Sequence, residues 1–223
     1  MVNRHSKDTL PNFLFINVDQ LSREAIAANG CAYVQTPNMD RLMASGTSFD
    51  LSYCANPVCC PARSSWWTGK MSSETGVVDN AMPIRQDLPD MGQWLRDAGY
   101  ATYHIGKWHV PGREVRDSFT VLFDGDSTGL QGDLASVRTA EGFLNNYRGE
   151  EPYLLNVGLL NPHDICFWPQ LHNGARELPI PELAINLPPL PKNFLHNLEE
   201  PERVLEARRK MDSMGAVGWT ERL

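Results

Sequence analysis

The sequence predicts an α/β fold in which helices pack on a mainly parallel β-sheet, and two patterns along the chain support this. Short apolar runs alternate with segments of helical periodicity, which is the order of βα units. The first run, Phe13–Val18, is apolar apart from Asn17, as expected of a strand that is covered on both faces. The chain has 223 residues, enough to bury one substantial core of this kind.

The other elements follow in order along the chain. Gly46 and Gly99 stop the first two predicted helices, and Gly99 suits the left-handed conformation that commonly ends a helix. Residues 177–198 contain five prolines and are predicted to form an extended loop, followed by a charged helical segment over 199–223. The pattern predicts helices over residues 39–44, 91–98 and 134–147 and strands over residues 100–105 and 153–160.

The most informative stretch is Cys-Cys-Pro-Ala-Arg-Ser-Ser-Trp-Trp-Thr-Gly-Lys, residues 59–70. Pro61 suits the first position of a helix, so a helix is predicted to begin close to Cys59. Arg63 follows Cys59 by four residues, which places both side chains on the same side of the first turn. Because a helix start carries free N–H groups and a partial positive charge, the stretch predicts a nucleophile beside an anion site. The alternative is a buried structural cysteine beside a surface arginine.

Polar residues follow each of three predicted strands. Asp19 and Gln20 come after the first strand, Lys107 and His109 after the second, and His163 after the third. Ligands of open α/β sheets bind beyond the carboxyl ends of the strands, so these residues are candidates for one site. If the chain stays extended to His109, then Lys107 and His109 point to one face. Taken singly, Asp19 could cap a helix, Lys107 could be solvated and His163 could end a turn; together with the cysteine motif they favour a site.

The run Cys59-Cys60-Pro61-Ala62-Arg63, completed by Thr-Gly-Lys at residues 68–70, resembles the signature of the type I sulfatases of the alkaline phosphatase-like superfamily. The resemblance implies a three-layer αβα sandwich and hydrolysis of sulfuric esters. It further implies that a formylglycine-generating or equivalent maturation enzyme converts Cys59 to Cα-formylglycine (3-oxoalanine), whose hydrated aldehyde is the nucleophile. Cys60 stands where the family more often has Ser, Thr or Gly.

The resemblance also implies a divalent metal ion. Asp19 resembles the first metal ligand, and Gln20 occupies the position of a second aspartate in many sulfatases. An Asp-Gln pair is found in choline sulfatase-like and phosphonate monoester hydrolase-like members. With the oxygen of the converted Cys59, these ligands favour Ca²⁺, with Mn²⁺ or Mg²⁺ as alternatives.

The substrate contacts implied by the resemblance are the following. Lys107 and His109 match a Gly-Lys-x-His element and His163 matches a Pro-His element, and these contact the ester oxygens or the leaving group. Asn80 resembles an active-site asparagine of the Asp-Gln subset. Arg63 and Lys107 would offset charge on the transferring group, and one of the two histidines would protonate the leaving alkoxide.

Family members are longer and complete their metal site with an Asp followed by Asn or His beyond a later strand. After His163 this sequence has only Asp164 and Asp212, and neither is followed by such a residue. We therefore expect residues 1–176 to form the N-terminal part of a catalytic domain truncated at its C-terminus, and the isolated chain to be inactive. Two alternatives stay open: a phosphonate or phosphate ester hydrolase of the same superfamily, and a non-catalytic remnant.

Bulk properties limit the other functional classes. A formal net charge of −7 argues against nucleic acid or an anionic membrane as partner. The partners that the resemblance implies are a small-molecule sulfate ester and the maturation enzyme. No signal peptide is visible and the five cysteines form no disulfide pattern, so a cytoplasmic location is expected. A phosphate-binding P-loop is excluded because Met71 follows Lys70. His104, His109 and the cysteines lack the sequence spacing of a zinc site.

Overall fold

The computed structural model describes residues 10–125, 128–167, 189 and 200–213. The chain divides into two compact units, one of residues 1–21 and 48–164 and the other of residues 22–47 and 165–223. All of the candidate site residues lie in the first unit. The predicted proline-rich loop lies outside the described residues except for Pro189, so the domain limits at residues 176 and 198 stay predictions.

The first unit is built on a parallel sheet, as predicted. In its described residues the strand order is β1-β4-β2-β3, and every neighbouring pair is parallel. Strand β3 was not predicted, because its apolar run covers only residues 121–123 and its five residues are exposed or half-buried. The strands are β1 (Phe13–Val18), β2 (Ala101–Gly106), β3 (Thr120–Asp124) and β4 (Tyr153–Leu159).

Helices and loops of the first unit cover both faces of the sheet. On β4, Leu154 packs with Trp67 and Trp108 on one face, while its neighbour Leu155 packs with Ala140 on the other. This alternation is what a strand at the centre of a layered α/β core requires. The helices of this unit are α2 (Cys59–Thr68), α3 (Ser72–Thr75), α4 (Met91–Asp97) and α5 (Gly129–Asn146), and α5 begins at residue 129 where the sequence predicted 134.

Strand β1 departs from the prediction that both of its faces are covered. Phe13, Leu14 and Ile16 are 44%, 47% and 50% exposed, whereas the central residues of β4 are buried. The physical reason is position, since β1 is the edge of the sheet formed by the described residues and β4 is inside it. The apolar run therefore predicted the strand correctly and its burial wrongly.

The second unit contributes two α-helices to the described residues, besides short 3-10 helices such as Arg23–Ala25. Helix α1 (Pro37–Ser45) ends before Gly46, as predicted, and Thr36 at its start donates a hydrogen bond of 2.7 Å to Asp40. Helix α6 (Glu202–Ser213) lies within the predicted charged segment. Among the described residues of the whole chain, no helix combines the length and the apolar character needed to cross a membrane.

A buried carboxylate fixes the start of α4. Asp90 is fully buried, and its Oδ1 accepts a hydrogen bond of 3.1 Å from the backbone N–H of Gln93. Its Oδ2 accepts a hydrogen bond of 2.6 Å from the hydroxyl of Ser118 and one of 3.1 Å from the guanidinium of Arg113, which is also buried. Removing one partner of such a pair leaves an uncompensated buried charge.

Replacing Asp90 by alanine is expected to lower the free energy of unfolding by about 3–5 kcal/mol, because Arg113 would be left buried without its carboxylate. The matched control is Asp87→Ala, which removes an exposed carboxylate paired with the exposed Arg85. The control should leave the urea denaturation midpoint unchanged. Equal midpoint shifts for both variants would contradict this account of the α4 start.

Candidate active site

Helix α2 starts at Cys59, which places this thiol at the open end of the helix. The preceding residue, Val58, supplies no side-chain cap. Instead the Oδ1 of Asn80 accepts a hydrogen bond of 3.1 Å from the N–H of Cys60 and one of 3.4 Å from the thiol of Cys59. Pro61 is third in the helix and not first as predicted, a position that still has no N–H acceptor within the helix.

Arg63 is the buried centre of the site. It is 1% exposed, so the alternative of a surface arginine is wrong. Its guanidinium donates to the carbonyl of Lys107 at 2.9 Å and that of Trp108 at 3.5 Å, and it lies 3.5 Å from Asp19 Oδ2. It also sits 5.2 Å from the centre of the Trp66 ring. Arg63 therefore ties α2 to the loop after β2 and presents its charge to the carboxylate that follows β1.

Asp19 is held as a carboxylate between two cations. Its Oδ2 accepts a hydrogen bond from the ammonium of Lys107, which is 4% exposed and therefore not a solvated surface charge. Burial raises the pKa of Asp19, but the hydrogen bond from Lys107 and the charges of Arg63, Lys107 and His163 outweigh burial and hold this pKa below its usual value. Asp19 does not cap the next short helix, because Ser22 accepts from the N–H of Glu24 there.

The loop after β2 turns sharply and brings His109 to α2. The prediction that the chain stays extended to His109 is wrong, since Gly106 has φ +84° and His109 has φ +53°. A side chain at Gly106 would place its Cβ 2.0 Å from the carbonyl oxygen of Gly158, so this turn requires glycine. Lys107 nevertheless reaches Asp19, and the His109 ring lies within 4.8 Å of the thiols of Cys59 and Cys60.

A chain of buried polar side chains crosses the sheet beneath the site, and sequence analysis did not find it. Asn17 on β1 donates a hydrogen bond of 2.7 Å to the side chain of Asn156 on β4. The amide nitrogen of Asn156 lies 2.7 Å from Nδ1 of His104 on β2. The other ring nitrogen of His104 lies 2.9 Å from the Gly106 carbonyl. These bonds tie together the strand ends from which Asp19 and Lys107 emerge. The periodicity of apolar residues carries no signal for such a network.

The predicted residues surround one cavity of about 490 Å³, a size typical of small-molecule sites. Trp66 also lines it, whereas the neighbouring Trp67 is buried in the core. The spacing of Trp66 three residues after Arg63 was the available signal. Lys107, His109 and Asn80 join the site through their contacts with Asp19, Cys59 and Cys60. The predicted residues on the cavity wall are Asp19, Gln20, Cys59, Arg63 and His163.

Two oxygen donors on the cavity wall fit a hard divalent cation. The carboxylate of Asp19 and the amide of Gln20 follow β1 directly and line the cavity together with Cys59. Oxygen ligands of this kind are what Ca²⁺ and Mg²⁺ take in proteins. Lys107 and Arg63 form ion pairs with the same Asp19 carboxylate and neutralise its negative charge.

The lowered pKa of Asp19 predicts a pH dependence of stability. A carboxyl whose folded-state pKa lies below its unfolded value, about 3.9, stabilises the fold at higher pH. That contribution is lost as the pH falls through the folded-state pKa, so Asp19→Asn should flatten the acid limb of the stability curve. Urea denaturation between neutral pH and about pH 3 measures this effect. The control Asp97→Asn, at an exposed position ending α4, should retain the slope; equal slopes for all three proteins would contradict the prediction.

Comparison with known proteins bears on these residues. A protein-family model described as Sulfatase matches residues 11–163. An N-acetylglucosamine-6-O-sulfatase of Bacteroides thetaiotaomicron is 40% identical over 100 residues, which is 45% of this chain and 18% of that protein. A Delta 4,5-hexuronate-2-O-sulfatase of the same organism is 28% identical over 198 residues, 82% of this chain and 40% of that protein. The matched region thus spans well under half the length of these curated relatives.

Solved structures give the same picture of the fold. The structure of a 2-O GAG sulfatase superposes with a TM-score of 0.69 at 26% identity, covering 82% of this chain and 42% of that one. A phosphonate monoester hydrolase of Agrobacterium radiobacter superposes with a TM-score of 0.59 at 20% identity, covering 69% and 41%. The second likeness concerns the fold alone.

Proposed function

The chain belongs to the sulfatase family, and from this premise we propose that it carries the nucleophile and the sulfate-binding cations of a sulfuric ester hydrolase. The family is generally dependent on a formylglycine and a metal ion. The observation that carries the proposal is the position of Cys59, at the open start of α2 and on the wall of the cavity that Asp19 and Arg63 also line. The substrate is a sulfate ester, and a maturation enzyme that converts Cys59 is the protein partner.

The cations around the cavity suit a sulfate group. Arg63 offers a planar set of N–H donors that two backbone carbonyls hold in place. Lys107 offers an ammonium group that is hydrogen-bonded to Asp19. Preorganised charges of this kind stabilise charge that develops on a transferring group without reorganising during the reaction. At the start of α2 the N–H of Cys60 is bonded to Asn80 and Pro61 has no N–H, so it is the partial positive charge of the helix start that adds to the attraction for an anion. These groups bind the ester oxygens and orient its sulfur toward residue 59.

Residue 59 and its neighbours supply the nucleophile, the metal ligands and the proton donor of the reaction. As formylglycine, residue 59 would supply a hydrated aldehyde oxygen as the nucleophile. A divalent cation on Asp19 and Gln20, of which Ca²⁺ is the one we propose, would favour ionisation of that oxygen. Asn80 orients residue 59 through its contacts at the start of α2. His109 lies beside residue 59 and His163 lines the cavity, so one of them can protonate the leaving oxygen.

Hydrolysis of phosphonate monoesters is the second candidate function, and the neutral Gln20 beside Asp19 is the observation that supports it. Sulfate monoesters and phosphonate monoesters each carry one negative charge at neutral pH, so the cations of the cavity suit both. Geometry around the sulfur or phosphorus atom must therefore decide between them.

Rates on two esters of the same aryl alcohol, one a sulfate and one a phosphonate, test the proposal. Because residues 1–223 alone are expected to be inactive, they are tested within a chain of the family's full length, produced together with a formylglycine-generating enzyme, and Cys59→Ala serves as the blank. We expect kcat/KM for the sulfate ester to exceed that for the phosphonate by at least about tenfold, which corresponds to about 1.4 kcal/mol of transition-state binding. A preference in the opposite direction would assign the phosphonate reaction, and rates equal to the blank on both esters would contradict both functions.

A further inference from the structure

Three soft ligand groups meet at the start of α2. The ligand atoms of Cys59, Cys60 and His109 all lie within 4.8 Å of one another. Sequence analysis excluded a zinc site here because two adjacent cysteines and a distant histidine match no known spacing. Sequence spacing carries no information on this proximity, which arises because the turn after β2 carries His109 back to α2. No other group of three His, Cys, Asp or Glu residues with this proximity occurs in the described part of the chain.

We propose that Cys59, Cys60 and His109 bind a soft divalent cation, with Zn²⁺ as the ion the ligands suit, for as long as Cys59 is unconverted. Thiolate and imidazole are the ligands that select zinc over calcium or magnesium. Three protein ligands leave the fourth tetrahedral position to solvent, which is available because Cys59 opens onto the cavity. This site is distinct in chemistry from the oxygen donors of Asp19 and Gln20.

The ligands are held in place by contacts outside the trio. Asn80 accepts from the N–H of Cys60 and fixes the first residues of α2. Arg63, buried within the same helix, donates to the carbonyls of residues 107 and 108 and so anchors the loop that carries His109. His109 itself has φ +53°, a conformation that is costly for a residue with a side chain and that its surroundings must maintain. A preformed arrangement reduces the ordering cost of metal binding.

Proton release makes the site pH-dependent. Zn²⁺ binds two thiolates and one neutral imidazole, so each thiol gives up a proton to solvent as its sulfur bonds the metal. The two thiolate charges balance the ion, which offsets repulsion from the nearby cations. Affinity is therefore expected to rise with pH across the neutral range.

Conversion of Cys59 to an aldehyde removes one of the two thiolates. The zinc site therefore exists in the unconverted chain and disappears on maturation, and a bound zinc ion shields the Cys59 sulfur from the maturation enzyme. This inference does not rest on the proposed hydrolase activity. Its test uses metal binding alone, so the two can fail separately.

The test uses protein made without a maturation enzyme, with a free thiol at Cys59 verified by peptide mapping. Titration with Co²⁺ should give one equivalent of tetrahedral thiolate-to-cobalt absorption, and Zn²⁺ should displace the cobalt. Cys59→Ser, Cys60→Ser and His109→Asn should each weaken Zn²⁺ binding by at least about 100-fold, since loss of a ligand exceeds the 10–100-fold loss seen for groups behind the ligands. The controls Cys54→Ser and Cys31→Ser remove cysteines outside the trio and should leave the affinity unchanged.

Urea denaturation of each variant shows whether it is folded at the temperature of the titration. If Cys60→Ser does not fold, the half-buried Cys59 and His109 variants decide the question, because neither removes a group from the buried core. Cobalt binding without thiolate absorption would overturn the proposal. So would an affinity that responds to Cys54→Ser as strongly as to Cys59→Ser.

Discussion

Cys59→Ala is expected to lower kcat for sulfate ester hydrolysis by on the order of 10⁶-fold, the scale of loss when a covalent nucleophile is removed from a preorganised site. Cys59 is half-buried on the cavity wall at the start of α2, with Asn80 beside it. Cys60 cannot replace it, because that side chain is fully buried and belongs to the core cluster under the sheet. The assay is turnover of an aryl sulfate by the matured protein, with residues 1–223 carried in a chain of the family's full length.

The matched control for this prediction is Cys54→Ala. Cys54 also lines the cavity and is exposed, and its thiol donates to the Asn56 carbonyl at 3.1 Å. Its removal should leave kcat within experimental error of the unchanged protein. Turnover by Cys59→Ala at the rate of the Cys54 control would place the nucleophile elsewhere and contradict the proposed chemistry.

Arg63→Ala has the second largest expected effect, on stability and on rate together. The change removes a buried cation from Asp19 and leaves two backbone carbonyls without their donor, at a cost of about 3–5 kcal/mol in the free energy of unfolding. Loss of one preorganised charge at the transferring group should lower kcat by about 10²–10³-fold. Urea denaturation and steady-state kinetics measure the two effects separately.

Two further variants separate the fold from the chemistry at this position. Arg63→Lys keeps a positive charge but not the planar fork, so it should recover part of the rate while the carbonyls of residues 107 and 108 stay incompletely bonded. Arg85→Ala, at an exposed arginine paired with Asp87, should change neither quantity. A rate for Arg63→Ala equal to that of Arg85→Ala would show that Arg63 supports the fold without acting on the substrate.

Much of the site was predictable because it follows from chain order. Asp19 and Lys107 directly follow β1 and β2, His163 follows β4 after three residues, and parallel strands bring their carboxyl ends to one edge of a sheet. The start of α2 at Cys59 was signalled by Pro61, even though this proline occupies the third helical position. Local patterns therefore placed both the strand ends and the helix start.

What the sequence did not predict depends on contacts between distant segments. The burial of Arg63 comes from carbonyls more than 40 residues away, and the approach of His109 to Cys60 comes from left-handed backbone at residues 106 and 109. Hydrophobic periodicity records neither. The exposure of β1 was missed for a similar reason, because a strand's own residues do not say whether it lies at the edge or in the middle of a sheet.

The buried polar chain from Asn17 to His104 is a further feature that sequence patterns could not predict. Single Asn and His residues inside apolar strands give no pattern, yet the register places Asn156 opposite His104 and within reach of Asn17. The cost of burying these polar side chains is offset by their mutual hydrogen bonds, which form only in the assembled sheet. Their effect on the site is indirect, through the positions of the strand ends.

The chemical state of residue 59 in catalytically active protein from its native cell tests the central claim most directly. Peptide mass mapping across residues 59–63, combined with labelling by an aldehyde-specific hydrazide, identifies that state. The account predicts an aldehyde at residue 59, in a fraction of molecules that rises in proportion to the sulfate ester hydrolysis rate. Hydrolysis by protein whose residue 59 is entirely a free thiol would contradict it.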